Sequence, residues 1–402
     1  MVGCFAQSKL SHLGAALARA LSVAVVLSCC AISTIAQTAP PAFTLREGTL
    51  YVDQTAQRDN AQSLDSGGGP VPRSVTSGGF VLAADLTDPG YSAAVRLSGM
   101  AISSNSGTST TARVNQLSLS VPVADDCFVS VGKRIVAWDV SYFVQPVGFF
   151  QNVPRIGDLE DRRGLLEGLP LGFAGCSVES GFTYQLVASA ASGSSVERPA
   201  QAAARIAGTA GTMNYSLLLH HSERGATGLG WTLSSLLSDS VEVHSSGLLD
   251  IERQSANDRA IEALIGMNWN PIPTVSFVFE AWHNHSGLTN AEWDSLWQPI
   301  PSDPRAFERL RALTASGSYL RRNYVAARAS SPLSAEVAFS PSVGFIYGAD
   351  DASALCFLNL QYQINGRLLA MLGASRFVGK TQSEFGSART RSEITLSLFG
   401  FF

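Results

Sequence analysis

The chain has 402 residues, of which 46% are apolar and only 15% charged, against about 25% Asp, Glu, Lys and Arg in ordinary soluble domains. Its 28 Lys and Arg face 32 Asp and Glu, a net charge of −4, so the basic face that nucleic-acid binding requires is excluded. A mean hydropathy of +0.14 excludes a largely disordered chain.

Residues 1–36 contain Lys9 and Arg19, no acidic residue, and the apolar run ALSVAVVLSCCAISTIA. Thr34, Ile35 and Ala36 place small residues at −3 and −1 of a signal-peptidase site, and Pro40 stops a continuing helix. The segment 1–36 therefore reads as a secretory signal and 37–402 as the mature domain. An anchoring helix, or lipidation at Cys29 or Cys30, is the alternative. Cleavage leaves 26 basic and 32 acidic side chains, a net −6, and the cysteines Cys127, Cys176 and Cys356. Three cysteines allow at most one intramolecular disulfide. No CxxC or Cys/His ligand cluster occurs, so neither a zinc site nor a cofactor is expected.

Beyond residue 36 no run of about 18 apolar residues is present to form a spanning helix. Alternation takes its place. Tyr91, Ala93, Val95 and Leu97 alternate with Ser92, Ala94, Arg96 and Ser98; Val275, Phe277, Phe279 and Ala281 with Ser276, Val278, Glu280 and Trp282; Ala335, Val337 and Phe339 with Glu336, Ala338 and Ser340. Successive side chains of a strand point to opposite faces, so each segment has one apolar and one mixed face. Turn chemistry marks short connections at 87–90, 123–126, 208–212, 238–239, 270–273, 331–333 and Asn365-Gly366. Longer polar connections are expected at 57–76, 103–110, 139–165, 286–314 and 379–390. Alternately short and long connections are the wiring of transmembrane β-barrels, with tight periplasmic turns and long outside loops.

The chain ends with Ile394, Leu396, Leu398, Gly400 and Phe402 alternating with Thr395, Ser397, Phe399 and Phe401. This resembles the terminal strand of Gram-negative outer-membrane β-barrels. The resemblance implies location in the outer membrane, with Phe402 as the signal read by the barrel-assembly machinery, and outer-membrane lipids and lipopolysaccharide as neighbours. A weaker resemblance, to the larger exporter-type and alginate-export barrels, rests on Gly132, Lys133, Arg134, Trp138, Pro146, Asp158, Arg163, Gly168 and Pro170. Working back from a periplasmic Phe402, the turns keep to one side only if a hairpin turning at Gly175-Cys176-Ser177 lies between residues 166 and 190. The expected fold is an all-β, antiparallel up-and-down transmembrane barrel of about eighteen strands. Sixteen is the alternative, because 44–54 is a weak strand.

A barrel of this size encloses an aqueous channel, so function rests on the lumenal side chains and on whatever narrows the lumen. With the apolar set of each strand facing lipid, the lumenal candidates are Arg96, Arg134, Arg205, Arg322 and Arg328 with Glu242, Glu262, Glu280 and Glu336. The loop 139–165 carries Arg155, Asp158, Glu160, Asp161, Arg162 and Arg163 beside Phe143, Phe149 and Phe150. Folded into the mouth it forms a constriction; left outside it is a solvated surface loop. Tyr91, Tyr215, Trp231, Trp269, Phe339 and Tyr347, near expected strand ends, suit an interfacial girdle.

An enzyme is not expected. No GxSxG or HExxH motif occurs, and His220 and His221 would point to opposite faces of one strand, which leaves His283 and His285 as the other clustered pair. Cys127 and Cys176 are expected in periplasmic turns two strands apart, where the oxidising compartment permits a disulfide if the Cα atoms approach within about 7 Å. The sequence reads as an outer-membrane channel passing small solutes through a loop-restricted lumen; the alternative is a non-conducting adhesion barrel with functional outside loops.

Overall fold

The computed structural model describes residues 41–59, 73–105, 107–150, 161–179, 181–190, 192–193, 197–223, 227–250, 260–297, 319–333, 337–388 and 390–402. The expected signal segment lies outside the described residues. The first strands are β1 (Ala42–Asp59), β2 (Ser74–Asp88), β3 (Tyr91–Ser104), β4 (Gly107–Ala124), β5 (Cys127–Arg134), β6 (Leu169–Ser177) and β7 (Thr183–Ser189). A small ladder of β8 (Ser192–Gly193) with β9 (Glu197–Arg198) follows. The large sheet then continues with β10 (Gln201–Ala210), β11 (Met213–Ser222), β12 (Thr227–Ser238), β13 (Val241–Asp250), β14 (Ala260–Ile272) and β15 (Val275–Asn284). After the helix α1 (Asn290–Trp297) come β16 (Asn323–Ser330), β17 (Phe339–Gly348), β18 (Ser353–Asn365), β19 (Leu368–Val378) and β20 (Thr390–Phe401).

Sequential strands of the sheet pair antiparallel, β7 pairs with β10, and β1 pairs with β20, which closes a barrel of 18 strands. Both ends of the chain of strands lie at the edge bearing most of the two-residue turns, the periplasmic end of such barrels. The segment at 44–54 that looked weak belongs to an 18-residue strand, so the sixteen-strand alternative falls. Its outward Leu50 and Val52 alternate with inward Thr49, Tyr51 and Asp53, and this mixed inner face is what diluted the signal.

Three expected boundaries are corrected. The connection at 103–110 is tight, because β3 runs to Ser104 and β4 starts at Gly107, with Ile102 opposite Ser109 and Ala101 opposite Thr110. Strand ends beyond the hydrocarbon are wet on both faces, so their polar composition imitates a loop. The alternation at 335–340 does not begin a strand until Phe339; residues 334–336 lie outside the described residues. Gly175, Cys176 and Ser177 belong to β6 rather than to a turn, which puts Cys176 directly opposite Cys127 on the neighbouring strand. The two form a disulfide across Cα atoms 4.1 Å apart. They are one strand step apart, not two, because Cys127 opens β5 and Cys176 lies at the end of β6. Cys356 is free and exposed on the outer face of β18.

Large apolar side chains left exposed outside the barrel include Leu117, Leu119, Leu217, Leu219, Ile265, Val343, Leu396 and Leu398. A contiguous apolar belt of this kind on a closed barrel meets hydrocarbon. Tyr91, Tyr215, Trp269 and Phe339 sit toward the periplasmic ends of their strands and Tyr347 toward the opposite end, whereas Trp231 lies well inside β12. The packed core is inside the barrel. One cluster joins Val136, Trp138, Val147 and Phe150 to Leu169, Phe173, Val187 and Leu218; another joins Phe143 and Phe385 to Leu264, Trp282, Tyr324 and Phe357.

Candidate functional site

The connection from β5 to β6, residues 135–168, contacts inward residues on two sides of the barrel, and its two described halves are organised by aspartates. Asp139 Oδ1 accepts the N–H groups of Val140 and Ser141 at 2.8 and 3.1 Å, and its Oδ2 accepts Val147 N at 2.9 Å. Asp161, held at φ 49°, accepts Leu165 N and Leu166 N at 2.6 and 2.9 Å. Short acidic side chains that tie up nearby backbone donors let a chain turn without strand partners. Gly164 (φ +62°) sits in the left-handed region, and a Cβ there would lie 2.8 Å from Val81 and 2.9 Å from Ser98.

Residues 142–150 make polar contacts with the wall from β10 to β15. Glu280, 2% exposed, accepts Tyr142 N at 2.7 Å and Phe143 N at 3.0 Å, with His244 Nε2 at 3.0 Å. Asn268 donates to the Tyr142 hydroxyl and to Glu242. His220 stacks on Phe149 at a centroid distance of 4.0 Å, and Gln201 donates to the Phe149 carbonyl at 3.0 Å.

Residues 161–166 contact the other wall. Arg163 grips Asp53 of β1 with two hydrogen bonds of 2.8 and 3.1 Å, donates to Ser397 of β20 at 2.8 Å and lies over the Phe399 ring. Arg96 of β3 is paired with Asp161 and with Glu47. Asn115 of β4 donates to the carbonyls of Gly164 and Leu166. Two-pronged guanidinium–carboxylate pairs of this kind fix orientation as well as charge. Beside this second wall remains a cavity of about 530 Å³ whose lining includes Arg113, Arg163, Met100, Phe357, Met371 and Gly373.

The sequence-derived candidates divide accordingly. Arg96, Asp161, Arg163 and Glu280 make the wall contacts, Glu242 reaches them through Asn268, and Arg162 is half-buried beside them. Arg134 instead lies 4.5 Å from the Phe173 ring, Arg205 donates to Gln185 and Arg328 to Ser342, all on the barrel wall. Arg322 precedes β16 and donates to Gly287 O, and Glu262 is on β14. Arg155, Asp158, Glu160 and Glu336 lie outside the described residues. Asp53, Glu47, Asn115, Asp139 and His244 were not anticipated. Asp53 and His244 carry a period-two signal; nothing local marks Asn115, which sits at a register shift between β3 and β4.

Among the described residues no group of three His, Cys, Asp or Glu side chains is arranged to hold a metal ion. His220 faces inward while His221 is on the outer side with Thr227, and His283 bonds Asn323.

No family model and no curated protein matches the chain. Solved structures do. Pseudomonas aeruginosa OccK11 (OpdR) superposes with a TM-score of 0.58 over 92% of this chain and 99% of that one, at 12% identity. The fold is that of an outer-membrane porin barrel. P. aeruginosa OpdL (TM-score 0.58, 10% identity, covering 91% and 99%) and OprD (0.55, 10%, 92% and 98%) are similar in the same way.

Proposed function

We propose that the chain is a passive outer-membrane channel for small solutes, whose water-filled lumen is narrowed by the segment 135–168. The observation that carries this reading is the pair of anchors on opposite walls: Tyr142 and Phe143 on Glu280 of β15, and Arg163 on Asp53 of β1. Anchors on two walls support a segment drawn into the lumen rather than one left outside it. Burial of Phe143, Val147 and Phe150 at 2%, 0% and 1% exposure speaks against a solvated surface loop. The open cavity beside Arg163 is then the route.

Arg134 and Leu169 are cross-strand neighbours, so a four-residue turn can replace 135–168 without stretching the barrel. In planar bilayers this replacement should raise single-channel conductance about two- to fivefold and admit larger solutes, as expected when a constriction is removed. Unchanged conductance and exclusion would refute the constriction. Absence of any conductance in the intact protein would favour the adhesion barrel instead.

A further inference from the structure

The outer surface from β15 round to β1 carries a recess that the channel reading does not use. Two neighbouring cross-strand rows build it. One row runs Phe277, Ala329, Val343, Leu358, Ala374, Ile394 across β15 to β20, each residue opposite the next. The other runs Phe279, Ala327, Phe345, Cys356, Arg376, Ser392 and ends on Arg58 of β1. Small residues at 327, 329, 356 and 374 between aromatic flanks leave an apolar groove of about 710 Å³. Where the second row ends, a separate recess of about 220 Å³ is lined by Arg58, Arg376, Arg391 and Ser392. Arg376 and Ser392 line both, so the two spaces are continuous.

All three arginines are exposed, and none has a hydrogen bond or ion pair among the described residues. Glu393, next along β20, is committed to the lumen side, where it accepts Gln57 Nε2 at 2.7 Å, and Asp59 makes no ion pair with them. Three guanidiniums around one recess, without a carboxylate partner among the described residues, are a receptor for phosphate, which their donors can grip in pairs.

Depth settles the kind of phosphate. The second row lies one residue from the outer end of β1 at Arg58 and five from the outer end of β15 at Phe279, so it descends from the rim into the hydrocarbon. From Arg376 to Phe279 it crosses four strand steps, about 19 Å at ~4.8 Å each. At a strand tilt of about 40° that is a descent of about 12 Å, within the roughly 15 Å of one leaflet's hydrocarbon. We propose that this face binds a phosphorylated, acylated lipid of the outer leaflet, its phosphate held by Arg58, Arg376 and Arg391 and an acyl chain lying in the groove below.

The test uses the intact barrel in detergent with bisphosphorylated lipid A as the probe, bound lipid being counted by native mass spectrometry. The wild type should retain one lipid A. The triple variant R58Q/R376Q/R391Q should bind it about a hundredfold more weakly, as expected for three cationic contacts at a membrane surface. Dephosphorylated lipid A should bind the wild type as weakly as the variant binds the intact lipid. Ala374→Leu, which fills the groove beside an intact arginine cluster, should weaken both lipids. Equal retention of the two lipids by the wild type, or unchanged retention by the triple variant, would overturn the phosphate site. Saturation by inorganic phosphate alone, no effect of Ala374→Leu, or a barrel dimer in place of bound lipid would overturn the lipid assignment. Retained heat-modifiability on gels reports that each variant barrel is closed.

Discussion

Glu280 was legible as a lumenal residue from alternation alone, because Val275, Phe277, Phe279 and Ala281 define the opposite face of its strand. Its partners were not legible: Tyr142 and Phe143 lie 138 and 137 residues away in sequence, and only closure of the barrel brings them together. The same holds for Arg163 and Asp53, which are 110 residues apart. Outside the membrane, one residue carries a pH response. Glu384, in the connection after β19, accepts Leu320 N at 2.9 Å and the Tyr324 hydroxyl at 2.6 Å. Burial pushes its carboxyl up to about 7, with the charge of Asp351 adding to the rise, while the two hydrogen bonds and Arg321 oppose it. A carboxyl whose folded value lies above its ordinary 4.5 binds its proton more tightly when docked. It therefore favours the docked loop below about pH 4.5, and this contribution is lost as pH rises through about 7. Amide exchange over 379–388, corrected for intrinsic rates, should be about tenfold faster at pH 8.5 than at pH 5. Glu384→Gln should abolish most of that difference; an equal difference in the variant would contradict the assignment.

At the scale of elements, strands showed through wherever lipid imposes an apolar face, and misled where it does not. The outer ends of β3 and β4 are rich in Ser and Thr on both faces, so 103–110 read as a loop; β-branched Thr108, Thr110 and Thr111 pair as well there as in the membrane. For the disulfide, the misplaced turn had the same origin, since residues 175–177 look like a turn and are the end of β6. Its placement suggests an element-scale role. Cys127 and Cys176, 49 residues apart, bracket the lumenal segment at the periplasmic end of the hairpin that carries it. Chain-entropy arguments give about 4 kcal/mol for a loop of that length. Cys127→Ser with Cys176→Ser should lower the unfolding free energy of the vesicle-inserted barrel by about 2–4 kcal/mol in denaturant titrations. Conductance should be unchanged, because Phe143, Asp161 and Arg163 keep their own anchors. A free-thiol count of three in the mature, non-reduced protein would remove the premise.

For the whole molecule, the low charge content belongs to one surface. Outward positions meet hydrocarbon and carry the apolar set, whereas inward positions hold the paired charges Arg96–Asp161, Arg163–Asp53 and His244–Glu280. Strand number, closure and wiring follow from periodicity and parity; the contents of the lumen follow from long-range contacts that no local pattern encodes. Those contents are lopsided. Apolar packing of Trp138, Val147 and Phe150 against β6, β7, β10 and β11 fills one side, Phe143 and Phe385 pack against β14 to β18, and the 530 Å³ cavity beside β18, β19 and β1 remains open. If solutes pass there, bulk added on that side alone should obstruct them. Gly373 faces the cavity, and a Cβ built on it would meet only Asn359 Oδ1 at 3.2 Å and Thr395 O at 3.9 Å, so an indole has room to project into the route. Gly373→Trp should reduce single-channel conductance by about half or more, as narrowing of a pore does. Gly172→Trp, at an outward position with nothing within 4 Å, should leave it unchanged. Equal conductance in the two variants would place the route elsewhere in the barrel.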